Sequence, residues 1–92
     1  MPNPQNKAIP NSLRFYRRRQ NLKLYELADR IGLSSASHLA HWEMGRKIPT
    51  LQNVLKLSIV LNVQVSSLYF ELYRQLRDEL SNQKLRASRP RR

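Results

Sequence analysis

Between residues 24 and 49 the chain reads Leu24-Tyr25-Glu26-Leu27-Ala28-Asp29-Arg30-Ile31-Gly32-Leu33-Ser34-Ser35-Ala36-Ser37-His38-Leu39-Ala40-His41-Trp42-Glu43-Met44-Gly45-Arg46-Lys47-Ile48-Pro49, two short helical repeats divided by a glycine and a run of serines. Leu27, Ala28 and Ile31 share one face of the first repeat, and the small Ala28 lets a second helix cross close by. In the second repeat Leu39, Trp42 and Glu43 point one way while Ser37, His38 and His41 point the other. Gly32 and Gly45 are the only two glycines of the chain. Each follows an apolar repeat, where a helix closes on a left-handed residue that a Cβ disfavours. This punctuation predicts a helix-turn-helix whose second helix is anchored on one side and polar on the other.

The whole chain is consistent with that reading. Ninety-two residues suffice for one small domain, and burial at this size is only just adequate, which favours helices with short connections. Lysine and arginine number 17 against 6 acids, a net charge of +11, so the partner is expected to be a polyanion, either nucleic acid or an anionic membrane. No run reaches the ~20 apolar residues needed to span a bilayer, because Lys56 interrupts the longest candidate. Met1 to Lys7 lacks the apolar centre of a secretion signal, which makes the cytoplasm, in association with the nucleoid, the expected location. The absence of cysteine excludes disulfides and thiolate zinc sites. His38 and His41 fall on one helical face but have no third ligand at suitable spacing, so neither metal nor cofactor is expected.

Leu27-Ala28, Gly32-Leu33-Ser34, Leu39, Glu43-x-Gly45-Arg46 and Pro49 together resemble the Cro/repressor-type, or XRE-type, helix-turn-helix family, over about Leu13 to Leu68. The likeness is specific because it is a spaced set of dissimilar residues. It implies an all-α, five-helix lambda-repressor-like domain, extended here by a longer C-terminal helix and a disordered basic tail. It implies a recognition helix over about 36–44 lying in the major groove of double-stranded DNA. It also implies that Arg17 and Glu43 form a structural ion pair across packed helices. This chain departs from the family in having Leu24 where a phosphate-orienting glutamine is usual, and Lys23 where serine or threonine is usual. Gly32 to Leu39 is seven steps where six is usual. The added residue falls within Ser34 to Ser37, which leaves the register of residues 34–38 on DNA open by one position.

Residues 1–10, rich in proline and polar side chains, read as a flexible arm. Asn11 or Ser12 caps a first helix carrying Leu13, Tyr16 and Arg17 on one side. Leu22 closes the first connection, and a second helix follows from Leu24 to Ile31, its free N–H groups suited to a phosphate. Ile48 is expected to plug the core and Thr50 to cap a fourth helix in which Leu51, Val54, Leu55, Ser58 and Leu61 follow the helical period. Asn62 ends it. Val63 and Val65 then bury and Ser66 caps a long helix with a leucine stripe. The chain thus divides into a helix-turn-helix domain over 11–69, a helical extension over 70–83 and a basic tail over 84–92. Arg74 and Asp78 are spaced to pair on the outer face of the extension.

Ala36, Ser37, His38 and His41 are the base-contact candidates, and Arg14, Arg18, Lys23, Ser34, Ser35, Arg46 and Lys47 the phosphate-contact candidates. Tyr69, Leu72, Tyr73, Leu76 and Leu80 form an apolar face that either packs on the domain or meets a second subunit. Charge is unevenly placed: nine cations and three acids precede Ile48, whereas three of each lie between Ile48 and Gln83. The leading expectation is therefore a sequence-specific, dimeric transcriptional regulator of repressor type. An antitoxin or adaptor that binds another protein through its last helix is the second expectation. A general nucleic-acid binder working through the tail is the third, although only Phe15 and Tyr25 supply aromatics near the basic half. No nucleophile, paired carboxylates with histidine or phosphate-cradling loop is present, so no enzyme is expected.

Overall fold

A computed structural model describes residues 8–87, with side chains described through Asn82. The described residues form six helices and no strand: α1 Leu13–Arg19, α2 Leu24–Arg30, α3 Ser37–Glu43, α4 Leu51–Leu61, α5 Val65–Leu68 and α6 Phe70–Ala87. The first four close in the same way. Each is followed by a residue of positive φ, namely Asn21 (59°), Gly32 (84°), Gly45 (76°) and Asn62 (58°). The next amide then turns back on the carbonyl five residues earlier: Leu22 on Arg17, Leu33 on Ala28, Arg46 on His41 and Val63 on Ser58, at 2.9 to 3.1 Å. These are Schellman closures, with asparagine and glycine interchangeable because both enter the left-handed region at low cost. Asn21 was not expected in this role, although its setting before an apolar Leu22 matches that of Asn62 before Val63.

Helices of seven residues are too short to stand alone, so tertiary burial must hold them. Leu13, Leu27, Leu39, Leu57, Leu61 and Leu68 are essentially inaccessible to solvent. Every helix from α1 to α5 contributes at least one of these leucines, each adding about 1.5–3 kcal/mol of burial. Leu22, Ala28, Ile31, Trp42, Val54 and Tyr69 complete the core. Polar ties join distant segments: Ser12 N–H donates to Leu68 O at 2.8 Å, Gln20 Nε2 to Leu61 O at 3.2 Å and Lys56 Nζ to Ile31 O at 3.3 Å. The last of these sets a cation at the C-terminal end of α2, where the helix dipole favours it.

Several expectations are corrected. The fourth helix buries Val54, Leu57 and Leu61, whereas Leu51 and Leu55 are 73% and 47% exposed. α4 is apolar over most of its circumference, so periodicity could not select its inner face. Ile48 is 58% exposed and does not plug the core. It forms a lip of an apolar groove of about 480 Å³, walled by Val54, Val65 and Leu72 and bounded by Tyr73 and Leu76. The expected long fifth helix is split at Tyr69 (φ −126°, ψ 54°), whose ring is drawn into the core, and α6 starts afresh at Phe70. Gln64, not Ser66, is the N-cap of α5.

Arg74 lies over the Phe70 ring at 5.7 Å rather than pairing with Asp78, which approaches Arg77 at 3.6 Å. Ile9 is no part of a loose arm, since its N–H donates to Gly45 O at 2.9 Å and it packs against the core. Residues 84–87 belong to α6, because Lys84-Leu85-Arg86-Ala87 contains no helix breaker. Residues 1–7 of the expected arm and 88–92 of the expected tail lie outside the described residues.

Candidate nucleic-acid interface

Helix α3 is built from its buried side outward. Leu39 is inaccessible and Trp42 only 6% exposed, so the two anchor the helix on the core. The opposite side leaves Ser37 and His38 exposed and His41 half-buried. The His38 ring lies 6.5 Å from the Trp42 ring with planes tilted by 31°, which places the exposed imidazole beside a fixed surface. The seventh step between Gly32 and Leu39 is taken up by a bend at residues 34–36, and the helix proper begins at Ser37. Ser35 Oγ accepts from Ser37 N–H at 3.3 Å, so this hydroxyl supports the start of the helix. Ser34 and Ser35 are exposed, whereas Ala36 is half-buried and packs against the core.

A charged clamp fixes the far end of α3. Arg17 Nε donates to Glu43 Oε2 at 2.6 Å and Nη2 to Oε1 at 3.2 Å, while Nη1 donates to Leu22 O at 2.8 Å. The Glu43 side chain is only 2% exposed and that of Arg17 10%. Two-pronged geometry satisfies both groups where water is scarce, as a buried ion pair requires. Arg14 reaches the same carboxylate at 3.4 Å from a mostly exposed position. One acid thus serves two arginines, leaving Arg14 partly free for an external anion.

Arg18, Lys23, Arg46 and Lys47 are all exposed. Lys23 is the N-cap residue of α2, and Glu26 Oε1 accepts from its N–H at 2.7 Å. That carboxylate takes one N–H group at the start of the helix, and Lys23 is the exposed cation of that corner. Arg46 and Lys47 follow the closure at Gly45. That closure is covered by Ile9 and by Asn11, whose Nδ2 faces Ile9 O and Trp42 O at 3.0 Å each and Glu43 O at 3.3 Å. From the sequence Asn11 is expected only as a cap of α1. Its two partners on α3 lie more than thirty residues away, beyond any local signal.

The apolar face of the last helix divides into inner and outer residues. Tyr69 is buried, so its ring serves the core rather than a partner surface. Its hydroxyl has no hydrogen-bond partner, and burial pushes its pKa up to about 12. Leu72 is half-buried against the core, while Tyr73, Leu76 and Leu80 are substantially exposed. Among the described residues no three histidines or carboxylates gather as a metal would need, and no helix is long and apolar enough to cross a membrane.

No curated protein matches the chain. The helix-turn-helix family model matches residues 13–68, well over half of the sequence. The matched segment begins at the first residue of α1 and ends at the last of α5, with α3 anchored inward and polar outward. With that match added to the geometry, the chain belongs to the XRE-type helix-turn-helix family of DNA-binding regulators.

Proposed function

We propose that the chain is a sequence-specific, double-stranded-DNA-binding transcriptional regulator of repressor type, with α3 docked in the major groove. The outward side of α3 carries this reading: Ser37 and His38 are exposed, His41 is half-exposed, and the helix behind them is immobilised by Leu39, Trp42 and the Arg17–Glu43 clamp. Bases are read by hydrogen bonds from such side chains, while Arg14, Arg18, Lys23, Arg46, Lys47, Ser34 and Ser35 hold the phosphates. Serine and neutral imidazole each donate and accept, so neither dictates a base as bidentate arginine dictates guanine.

Two copies would present their α3 helices to half-sites about one turn apart, ~34 Å. Tyr73, Leu76 and Leu80 offer the dimer contact, and the neighbouring groove extends it. The same exposed stripe also suits an adaptor or antitoxin role with a different protein partner. Sedimentation of the pure chain separates the two, since a dimer favours the first role and a monomer the second. The test of DNA reading is a comparison of variants in selection from a random duplex pool. His41→Ala is expected to change the enriched sequence, whereas Lys47→Ala weakens all sequences alike. An unchanged preference in His41→Ala removes that residue from the reading set.

A further inference from the structure

We propose that Asn11 is a positioning residue for DNA binding: together with Ile9 it straps the end of the recognition helix and sets the place of Arg46 and Lys47. The inference rests on the DNA-binding reading above and deepens it. The last carbonyls of a helix lack partners within the helix. Here one side-chain amide, reaching across from the start of α1, faces two of them, Trp42 O at 3.0 Å and Glu43 O at 3.3 Å. The same Nδ2 faces Ile9 O at 3.0 Å, and Oδ1 accepts from Leu13 N–H at 3.1 Å. Asn11 therefore joins three segments through four contacts. The amide serves both ends at once, its Nδ2 supplying the donor that the carbonyls need and its Oδ1 the acceptor that Leu13 N–H needs.

Ile9 completes the strap from the other side, its N–H donating to Gly45 O at 2.9 Å. The approach is so close that a Cβ at Gly45 would lie 2.5 Å from Ile9 O and 2.6 Å from Ile9 N. Gly45 is buried although it sits in a surface loop, and the strap is what covers it. Arg46 and Lys47 are the next two residues, and both are exposed. Their backbone is fixed upstream by the strap and by the Arg46 N–H bond to His41 O at 2.9 Å. The Arg17–Glu43 clamp holds the side chain of the last α3 residue, and the strap holds its carbonyl. Loosening the strap leaves α3 anchored by Leu39 and Trp42 but releases the two cations beyond it.

The test uses two full-length variants that attack the strap from opposite sides. Asn11→Ser keeps an acceptor near Leu13 N–H but is too short to reach Trp42 O. Gly45→Ala leaves Asn11 intact and drives Ile9 away. Each is compared with the wild type for binding to the enriched duplex across a salt series, at a temperature where circular dichroism reports full folding. Each phosphate neutralised contributes about 0.9 to the slope of log K against log salt. Both variants are expected to show a slope shallower by about 2, with the enriched sequence retained. In the free protein, amide exchange at Ile9 is expected to accelerate in both variants.

A merely structural role for Asn11 would lower the melting temperature and leave the slope of the folded protein unchanged. An unchanged slope in both variants, with wild-type binding intact, overturns the proposal and spares the DNA-binding reading. A wild-type chain with no salt-dependent duplex binding overturns both.

Discussion

The unit from Leu13 to Leu68 and the helix that follows Tyr69 are about equally rich in leucine and behave differently. In the first, helices of seven to eleven residues and a final one of four are each tied into one core, and leucines on five helices are inaccessible. In the second, eighteen residues form one helix, yet every residue from Tyr73 to Asn82 is exposed. Leucine count does not separate them, because Leu76 and Leu80 are as apolar as Leu57 and Leu61. What differs is the arrangement of neighbours: each of the first four helices closes on a left-handed residue and returns the chain to the core, while α6 runs on through the described residues without such a return. A closed unit holds α3 in place, and an open helix leaves an apolar side exposed.

Substitutions can break this comparison in decreasing order of effect. Glu43→Ala, by stranding the buried Arg17 guanidinium, is expected to cost about 3–5 kcal/mol in urea unfolding. A loss below about 1 kcal/mol would mean that the clamp is solvated. Leu57→Ala is expected to cost about 2–5 kcal/mol as a core cavity. Leu80→Ala on the open helix should change the stability of the isolated chain by no more than about 0.5 kcal/mol. It should instead weaken self-association in sedimentation, and equal costs for the two leucines would erase the distinction between the regions.

Tyr69 sits at the boundary and is the one position where no loss of stability is expected. Its buried hydroxyl has no partner, so Tyr69→Phe should be neutral or stabilising by about 1 kcal/mol near neutral pH. The native state keeps the phenolic proton until a pH of about 12, whereas the unfolded chain releases it near its ordinary value of 10.0. Between those values the unfolded state binds fewer protons, so stability falls as pH rises. That alkaline fall should be smaller in Tyr69→Phe, and an identical fall in both proteins would place the phenol in water.

Much of the closed unit was legible because its signals are local. Gly32, Gly45 and Asn62 mark helix ends by backbone conformation, and Leu39 with Trp42 marks the inner side of α3 by spacing. The Arg17–Glu43 pair followed from family resemblance, and the structure forms it at 2.6 Å. Where residues carry the wrong amount of information, the sequence misleads. α4 is apolar nearly all round, so its period was ambiguous, and Ile48 was drawn inward on hydrophobicity alone. The split at Tyr69 comes from tertiary burial of one ring, which leaves no mark on a continuous leucine stripe. At the interface, the side chains of α3 could be placed on its outer side, but the bend at 34–36 that turns Ala36 inward depends on how an added residue is absorbed. The Asn11 contacts join residues distant in the chain, and nothing near Asn11 announces them.

The central claim is that the outward polar side of α3, held by its apolar back and flanked by exposed cations, reads duplex DNA. Selection of bound sequences from a random duplex pool by the wild-type chain, repeated at two salt concentrations, tests it most directly. The account predicts an enriched, inverted pair of half-sites about one helical turn apart, with affinity falling steeply as salt rises. Salt-sensitive binding with no enriched sequence, or no duplex binding at all, would contradict it.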